Sequence, residues 1–280
     1  AFCCSGTLGS LVKNGAGDQF ILSNNHVLAR TNRAEVGEDI IQSGLIDQNC
    51  LQDPLDVVAD LSAFKMISFK SGKTNTVDAA IAKVRAGAVD PNGTILDIGQ
   101  VGSSIIAPGL GMGVKKSGRT SGLTTGTVTA VNVTVDVWYS KQCGIGSQKA
   151  RFVNQIAVGP GGFSAGGDSG SLIVENVTTC PRQVGLLFAG SSSIAIANPI
   201  SNVLTTFGVS PVGCSSGASA ERSLLGRVMT WLFPRAHAAQ RPAVNPAAIA
   251  NATHAKEQHE QALLNIPGVV GAGVGLSDLV

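Results

Sequence analysis

Between Val131 and Val137 the chain reads Val-Asn-Val-Thr-Val-Asp-Val, apolar and polar residues in strict alternation. A helix advances about 100° per residue and would scatter the four valines, whereas a strand puts them all on one face. Apolar runs at Thr7–Val12 and Gln19–Ser23, separated by the turn-forming Lys13–Asp18, predict a hairpin. Further strands are expected at 76–84, 151–158, 171–175 and 184–190, with no convincing helical period between them. The 35 glycines fit tight turns, and 44% hydrophobic against 14% charged residues excludes disorder and coiled coil for most of the chain. Many strands without intervening helices favour packed antiparallel barrels or a sandwich over a parallel α/β sheet.

Charge narrows the partners. Twenty Lys and Arg against 18 Asp and Glu give +2, with no basic excess of the kind that nucleic-acid binding needs. Residues 183–220 carry no charge, yet Asn198-Pro199, Asn202 and Pro211 interrupt them, so no membrane span is expected there. The chain begins at Ala1, which reads as a processing product or a boundary. Six cysteines, none in a Cys-x-x-Cys pair, argue against zinc and thioredoxin chemistry. They allow fifteen pairings, among them Cys143 with Cys180, and with the low charge content they lean towards an exported or secreted protein. Asp47, Asp53, Asp56 and Asp60 match no calcium-loop spacing, and His254 and His259 lie five apart, off a common helix face. Neither a metal nor a cofactor is called for.

Composition shifts after Cys214. A Ser/Gly/Ala linker leads into 221–233, where Leu224, Leu225, Val228, Met229, Trp231, Leu232 and Phe233 share half of a helical wheel. A second helix is expected over about 246–264, followed by a Gly/Val segment, Ile266 to Leu276. The tail, 215–280, therefore reads as a separate unit. Its apolar stripe at 221–233 is expected to dock in cis on the β-rich part, ahead of a protein partner or a membrane surface.

The chemistry concentrates in Gly166-Gly167-Asp168-Ser169-Gly170-Ser171. A nucleophilic serine needs a sharp turn that exposes its hydroxyl and aims backbone N–H groups at a developing oxyanion, and small flanking residues permit that turn. His26 is the sole histidine in 1–236, so a histidine base in the β-rich part must be His26. Asp78 opens an otherwise apolar strand, where a carboxylate needs a partner such as a histidine. Asp56 and Asp60 compete for that place from an acid-rich, solvated stretch.

With these residues in place the sequence resembles the chymotrypsin-fold (trypsin-like) serine peptidases. The order His26, Asp78, Ser169, with spacings of 52 and 91 residues (26 to 78, 78 to 169), is similar to theirs. Ser117-Gly118-Arg119-Thr120-Ser121-Gly122 and then Gly126-Thr127-Val128 resemble the bacterial alpha-lytic protease and streptogrisin branch. Leu22-Ser23-Asn24-Asn25-His26-Val27-Leu28 is similar to a segment of the plant narrow-leaf trypsin-like proteins. The resemblance covers about 1–212. It implies an all-β fold of two antiparallel barrels, about 1–105 and 106–214, to which the residue pattern of 215–280 adds a helical C-terminal extension. It further implies a serine endopeptidase acting on a polypeptide substrate through an acyl-enzyme.

By the same resemblance Ser169 is the nucleophile, His26 the base, Asp78 its orienting partner, and the N–H groups of Gly167 and Ser169 the oxyanion hole. Asp168 requires a cation, for which the resemblance implies Arg119. Phe188, Ala189 and Gly190 form the strand along which substrate pairs, and Phe163 occupies the base of the specificity pocket, or else is an ordinary core residue. Relatives often carry a serine where Phe188 stands, which leaves the support of Asp78 open. A neutral pocket predicts cleavage after small or medium apolar residues, with Arg and Lys rejected. A catalytically silent peptidase-fold binding module, recognising a partner through its groove or its tail, is the competing reading.

Overall fold

The computed structural model describes residues 3–142, 145–215, 245–266 and 269–275, with the side chains of 141–146 excepted. The first half contributes β1 (Ser10–Lys13), β2 (Gln19–Ser23), β3 (Asp39–Ile41), β4 (Val57–Phe64), β5 (Thr74–Asn75), β6 (Ala80–Val84), β7 (Thr94–Ile95) and β8 (Gly99–Gln100). The second contributes β9 (Gly113–Gly118), β10 (Gly122–Gln142), β11 (Ile145–Gly159), β12 (Leu172–Glu175), β13 (Gln183–Gly190), β14 (Ala195–Pro199), β15 (Ser210–Pro211) and β16 (Gly271–Gly275). The helices are α1 (Asn25–Leu28), α2 (Ile200–Phe207) and α3 (Pro246–Leu264).

These strands form a six-stranded sheet, ordered β15-β1-β2-β6-β4-β3, and an eight-stranded sheet, ordered β16-β10-β9-β12-β13-β14-β11-β5. Pairing is antiparallel throughout both, apart from β5 against β11. The expected all-β architecture with a helical C-terminal extension is therefore borne out. The sheets exchange strands: β5 crosses to the second and β15 returns to the first. Between them lies a core of Val12, Leu22 and Val77 against Leu172, Leu186 and Ile200. This seam brings the segments around 26, 78 and 169 together.

The anticipated hairpin is β1–β2, with Ser10 opposite Leu22 and Lys13 opposite Gln19. The alternating valines sit inside β10, where Val133, Val135 and, two steps further on, Tyr139 turn inward. Two helices within 1–214 went unanticipated, the single-turn α1 and the longer α2. In α2, Ile200, Val203 and Leu204 bury one face at i, i+3 and i+4, and Gly208 ends it at φ +63°. The expected helix over 246–264 is α3; the Asn245 side chain caps it by accepting from the Ala247 N–H, and Pro246 stands at the first turn.

The described part of the tail is joined to the second sheet. β16 adds antiparallel to β10, with Val131 opposite Val274 and Val135 opposite Gly271. From α3, the nearly buried Lys256 reaches back to donate to Thr134 Oγ1 at 3.0 Å and pairs with Glu260 at 3.1 Å. The stripe at 221–233 lies outside the described residues. Disulfides join Cys3 to Cys50 and Cys180 to Cys214, which corrects the pairing of Cys180 with Cys143; Cys143 is outside the described residues. Only the fold brings Cα180 within 5.9 Å of Cα214, a proximity that no spacing in the sequence reveals. No described helix is long and apolar enough to cross a membrane.

Candidate active site

β2 delivers the chain to α1, and Asn24 and His26 follow directly from its buried end. His26 Nδ1 lies 2.6 Å from Asp78 Oδ2, and the His26 backbone N–H donates to Asp78 Oδ1 at 3.1 Å. A carboxylate only accepts, so Nδ1 carries the proton and Nε2 is left free to act as a base. Asp78 has no solvent exposure, whereas His26 keeps 21% of its side chain exposed, at the edge of a cleft that Ser169 also lines.

The backbone of Asp78 is held from both sheets. Asn24 Nδ2 donates to its carbonyl at 2.8 Å, and its N–H donates to Asn198 Oδ1 at 3.0 Å. Asn198 donates in turn to Gln155 Oε1, and Gln155 to the Thr76 carbonyl. All four side chains of this network are fully buried. These links tie β11 and β14 of the second sheet to the segment that carries the carboxylate. Tyr139 completes the shell: its hydroxyl donates to Asp78 Oδ2 at 2.8 Å. Sequence reasoning missed Asn198, Gln155 and Tyr139. For Tyr139 a signal existed, because the sole tyrosine of the chain continues the inward face of the alternating valines.

Ser169 sits in a turn between Gly167 (φ +99°) and Gly170 (φ +95°), conformations that only glycine adopts without strain. The N-terminal segment braces it: the Thr7 N–H donates to the Ser169 carbonyl at 2.8 Å and Thr7 Oγ1 to the Gly167 carbonyl at 3.0 Å. The Gly170 N–H bonds to the Leu187 carbonyl at 2.8 Å. Among the described residues neither the Gly167 nor the Ser169 N–H donates within the chain, so both are available to an anion at the turn.

The cation for Asp168 is not Arg119, and here the expectation is corrected. Arg119 pairs with Asp47 at the surface, with about a third of each side chain exposed. Lys116 takes the place instead: its Nζ lies 3.1 Å from Asp168 Oδ2, and both side chains are fully buried. In β9 the side chains alternate, so Lys116 shares the inward face of Val114 while Arg119 falls beyond the strand at the turn. The same turn does serve Asp168, through the N–H groups of Thr120 and Ser121 at 2.8 and 3.0 Å. Burial pushes the Asp168 carboxyl up, but the Ser121 hydroxyl and the N–H groups of Ala165, Ser121 and Thr120 outweigh it and hold the group below the usual range.

Phe188, Ala189 and Gly190 line the cleft beside Ser169. The ladder to β12 ends at Leu172 opposite Leu186, while β14 still pairs with Ala189 and Gly190, so this stretch is bonded on one side only. Phe163 does not line the cleft; it is buried in the core of the second sheet among Val114, Val128 and Val158. No group of three or more His, Cys, Asp or Glu suited to a metal occurs among the described residues.

No family model matches the chain. The chain is similar to glutamyl endopeptidase 2 of Streptomyces griseus, 33% identical over 126 residues, 44% of this chain and 58% of that protein. It thus spans little more than half the length of that relative. The serine-peptidase resemblance read from the sequence agrees with this likeness. Among solved structures it is similar to a glutamic-acid-specific serine protease described as using a histidine triad in substrate binding (24% identity, TM-score 0.48, 72% of this chain and 90% of that one). Thermobifida fusca protease A (17% identity, TM-score 0.47, 76% and 100% covered) and Cellulomonas bogoriensis chymotrypsin (17%, 0.47, 76% and 99%) are similar to the same degree.

Proposed function

We propose that this chain is a serine endopeptidase that hydrolyses peptide bonds through an acyl-enzyme. The observation that carries the reading is the 2.6 Å contact of His26 Nδ1 with buried Asp78, at the edge of a cleft shared with Ser169. Ser169 Oγ adds to the scissile carbonyl carbon as its proton passes to His26 Nε2, and Asp78 steadies the imidazolium. The oxyanion is received by the N–H groups of Gly167 and Ser169. The tetrahedral intermediate collapses, the C–N bond breaks, and His26 returns the proton to the leaving amine. Water then repeats the sequence on the ester and releases the acid. The half-bonded strand at Phe188–Gly190 supplies main-chain groups with which an extended substrate can pair.

Specificity follows from the wall of the cleft near Ser169. Phe188, Ala189, Gly190 and Ile194 contribute an uncharged stretch of that wall, which suits a small or medium apolar side chain. The curated relative is named for glutamate, so matched peptide substrates decide between the two preferences. Two described disulfides suit an oxidising compartment, and we assign the protein to export on that ground. A fluorophosphonate probe tests the reaction class. It is expected to label Ser169 in the native chain and to leave both Ser169→Ala and His26→Ala essentially unlabelled. A native chain that stays unlabelled refutes the peptidase reading in favour of a silent binding module.

A further inference from the structure

We propose that Tyr139 is a positioning residue of the catalytic apparatus, its hydroxyl holding the Asp78 carboxylate in register with His26. This inference rests on the peptidase reading above. Asp78 Oδ1 receives the His26 backbone N–H, while Oδ2 receives both Nδ1–H of His26 and the Tyr139 hydroxyl, at 2.6 and 2.8 Å. Three donors from two elements thus fix one buried carboxylate, and among the described residues Tyr139 is the sole donor from the second sheet to its oxygens. The phenol is suited to the task because it stays a donor. Burial, then the charge of Asp78 and the hydrogen bond itself, push its ionisation well above the ordinary phenol range.

The ring is fixed as firmly as the hydroxyl. Tyr139 stands edge-on to the His26 ring at 5.7 Å between centroids and 68° between planes. Behind it Phe69 lies at 5.8 Å and Phe152 at 6.1 Å, and Phe152 packs on Phe188 at 4.7 Å. Phe188 brings no hydroxyl to the carboxylate; it buttresses the residue that does. The groups meeting this cluster through Asn24, Asn198, Phe69 and Phe152 do not titrate. The charged side chains flanking Tyr139 along β10 and β11, Asp136, Lys149 and Arg151, are bonded to one another.

A donor to a buried carboxylate changes what that carboxylate does to its histidine. Without the hydroxyl, Asp78 holds the imidazolium proton more tightly, and more acid-sensitive turnover follows. Tyr139→Phe keeps the ring and removes the donor. It is expected to lower kcat roughly 10- to 100-fold, as for loss of one hydrogen bond to a charged group, with KM little changed. The acidic limb of the kcat/KM profile is expected to move to higher pH. A second perturbation needs no substitution: as Tyr139 is the sole tyrosine, growth on 3-fluorotyrosine alters this phenol alone. A more acidic phenol is a stronger donor, so the acidic limb is then expected to move to lower pH. Labelling of the native chain by the fluorophosphonate is measured first. An unlabelled native chain overturns the peptidase reading and this inference with it. A labelled native chain whose acidic limb stays in place under both perturbations overturns the role of Tyr139 alone.

Discussion

Replacing Lys116 by methionine keeps an unbranched side chain one atom shorter and removes its charge, at a site where neither Lys116 nor Asp168 has any exposure to water. Breaking one partner out of a buried pair costs about 3–5 kcal/mol, because the remaining charge is left uncompensated. Asp168 keeps the N–H groups of Thr120, Ser121 and Ala165 and the Ser121 hydroxyl, which places the loss near the lower bound, about 3 kcal/mol. For a β-rich part of this size that corresponds to a fall in Tm of roughly 6–12 °C. Asp168 directly precedes the proposed nucleophile, and its carbonyl receives the Ser171 N–H and hydroxyl at 3.0 and 2.6 Å. Loosening the carboxylate should therefore disturb the turn and slow fluorophosphonate labelling of Ser169 by at least an order of magnitude. Arg119→Met is the control. Its ion pair with Asp47 is about one-third exposed at each end, and such pairs contribute ~0–1 kcal/mol. Denaturant midpoints and labelling rates for the two variants decide the matter. The reasoning fails if Lys116→Met melts and labels like the native chain, or if Arg119→Met is the more damaging of the two.

Cleavage of matched peptide substrates is expected to be faster after Ala or Leu than after Arg, and an Arg-ending or acid-ending substrate that outpaces both would reverse the specificity. The lowered carboxyl of Asp168 means that the folded chain binds fewer protons than the unfolded one just below the ordinary value of 3.8. Its stabilisation is therefore present above that pH and lost as pH falls through the folded value, so urea midpoints at about pH 3 and pH 6 should differ less in Asp168→Asn. Tyr139 has the opposite sign: its raised ionisation makes stability fall as pH climbs past the ordinary phenol value of 10.0, and Tyr139→Phe should flatten that alkaline arm. Trimming 265–280 removes β16 from the edge of β10 and Val270 from the lining of the cleft. The sheets should stay folded and peptide turnover should be unchanged or higher; lost turnover would show instead that the strand supports the active arrangement.

The alternating valines, the glycine-bounded serine and the single histidine of residues 1–236 are local patterns, and local patterns determined the first hairpin, the strands around 131–137, 151–158, 171–175 and 184–190, the helix at 246–264 and the three residues on which the proposed chemistry rests, but not strands such as β4 and β14. Each depends on a backbone preference or on a residue type with no rival nearby. The partner of Asp168 was a different kind of question. Lys116 and Arg119 are three residues apart, and nothing in their identity says which is buried. The sheet decided it, by turning Lys116 inward with Val114 and leaving Arg119 at a turn within reach of Asp47. Cys180 met Cys214, and Tyr139 met Asp78, by the same agency: side chains 34 and 61 residues apart were brought into contact by strand pairing and sheet packing. A strand specifies which of its residues share a face, since that follows from the geometry of a few bonds. What that face meets depends on how the sheets close over it, and no local stretch of chain contains that information.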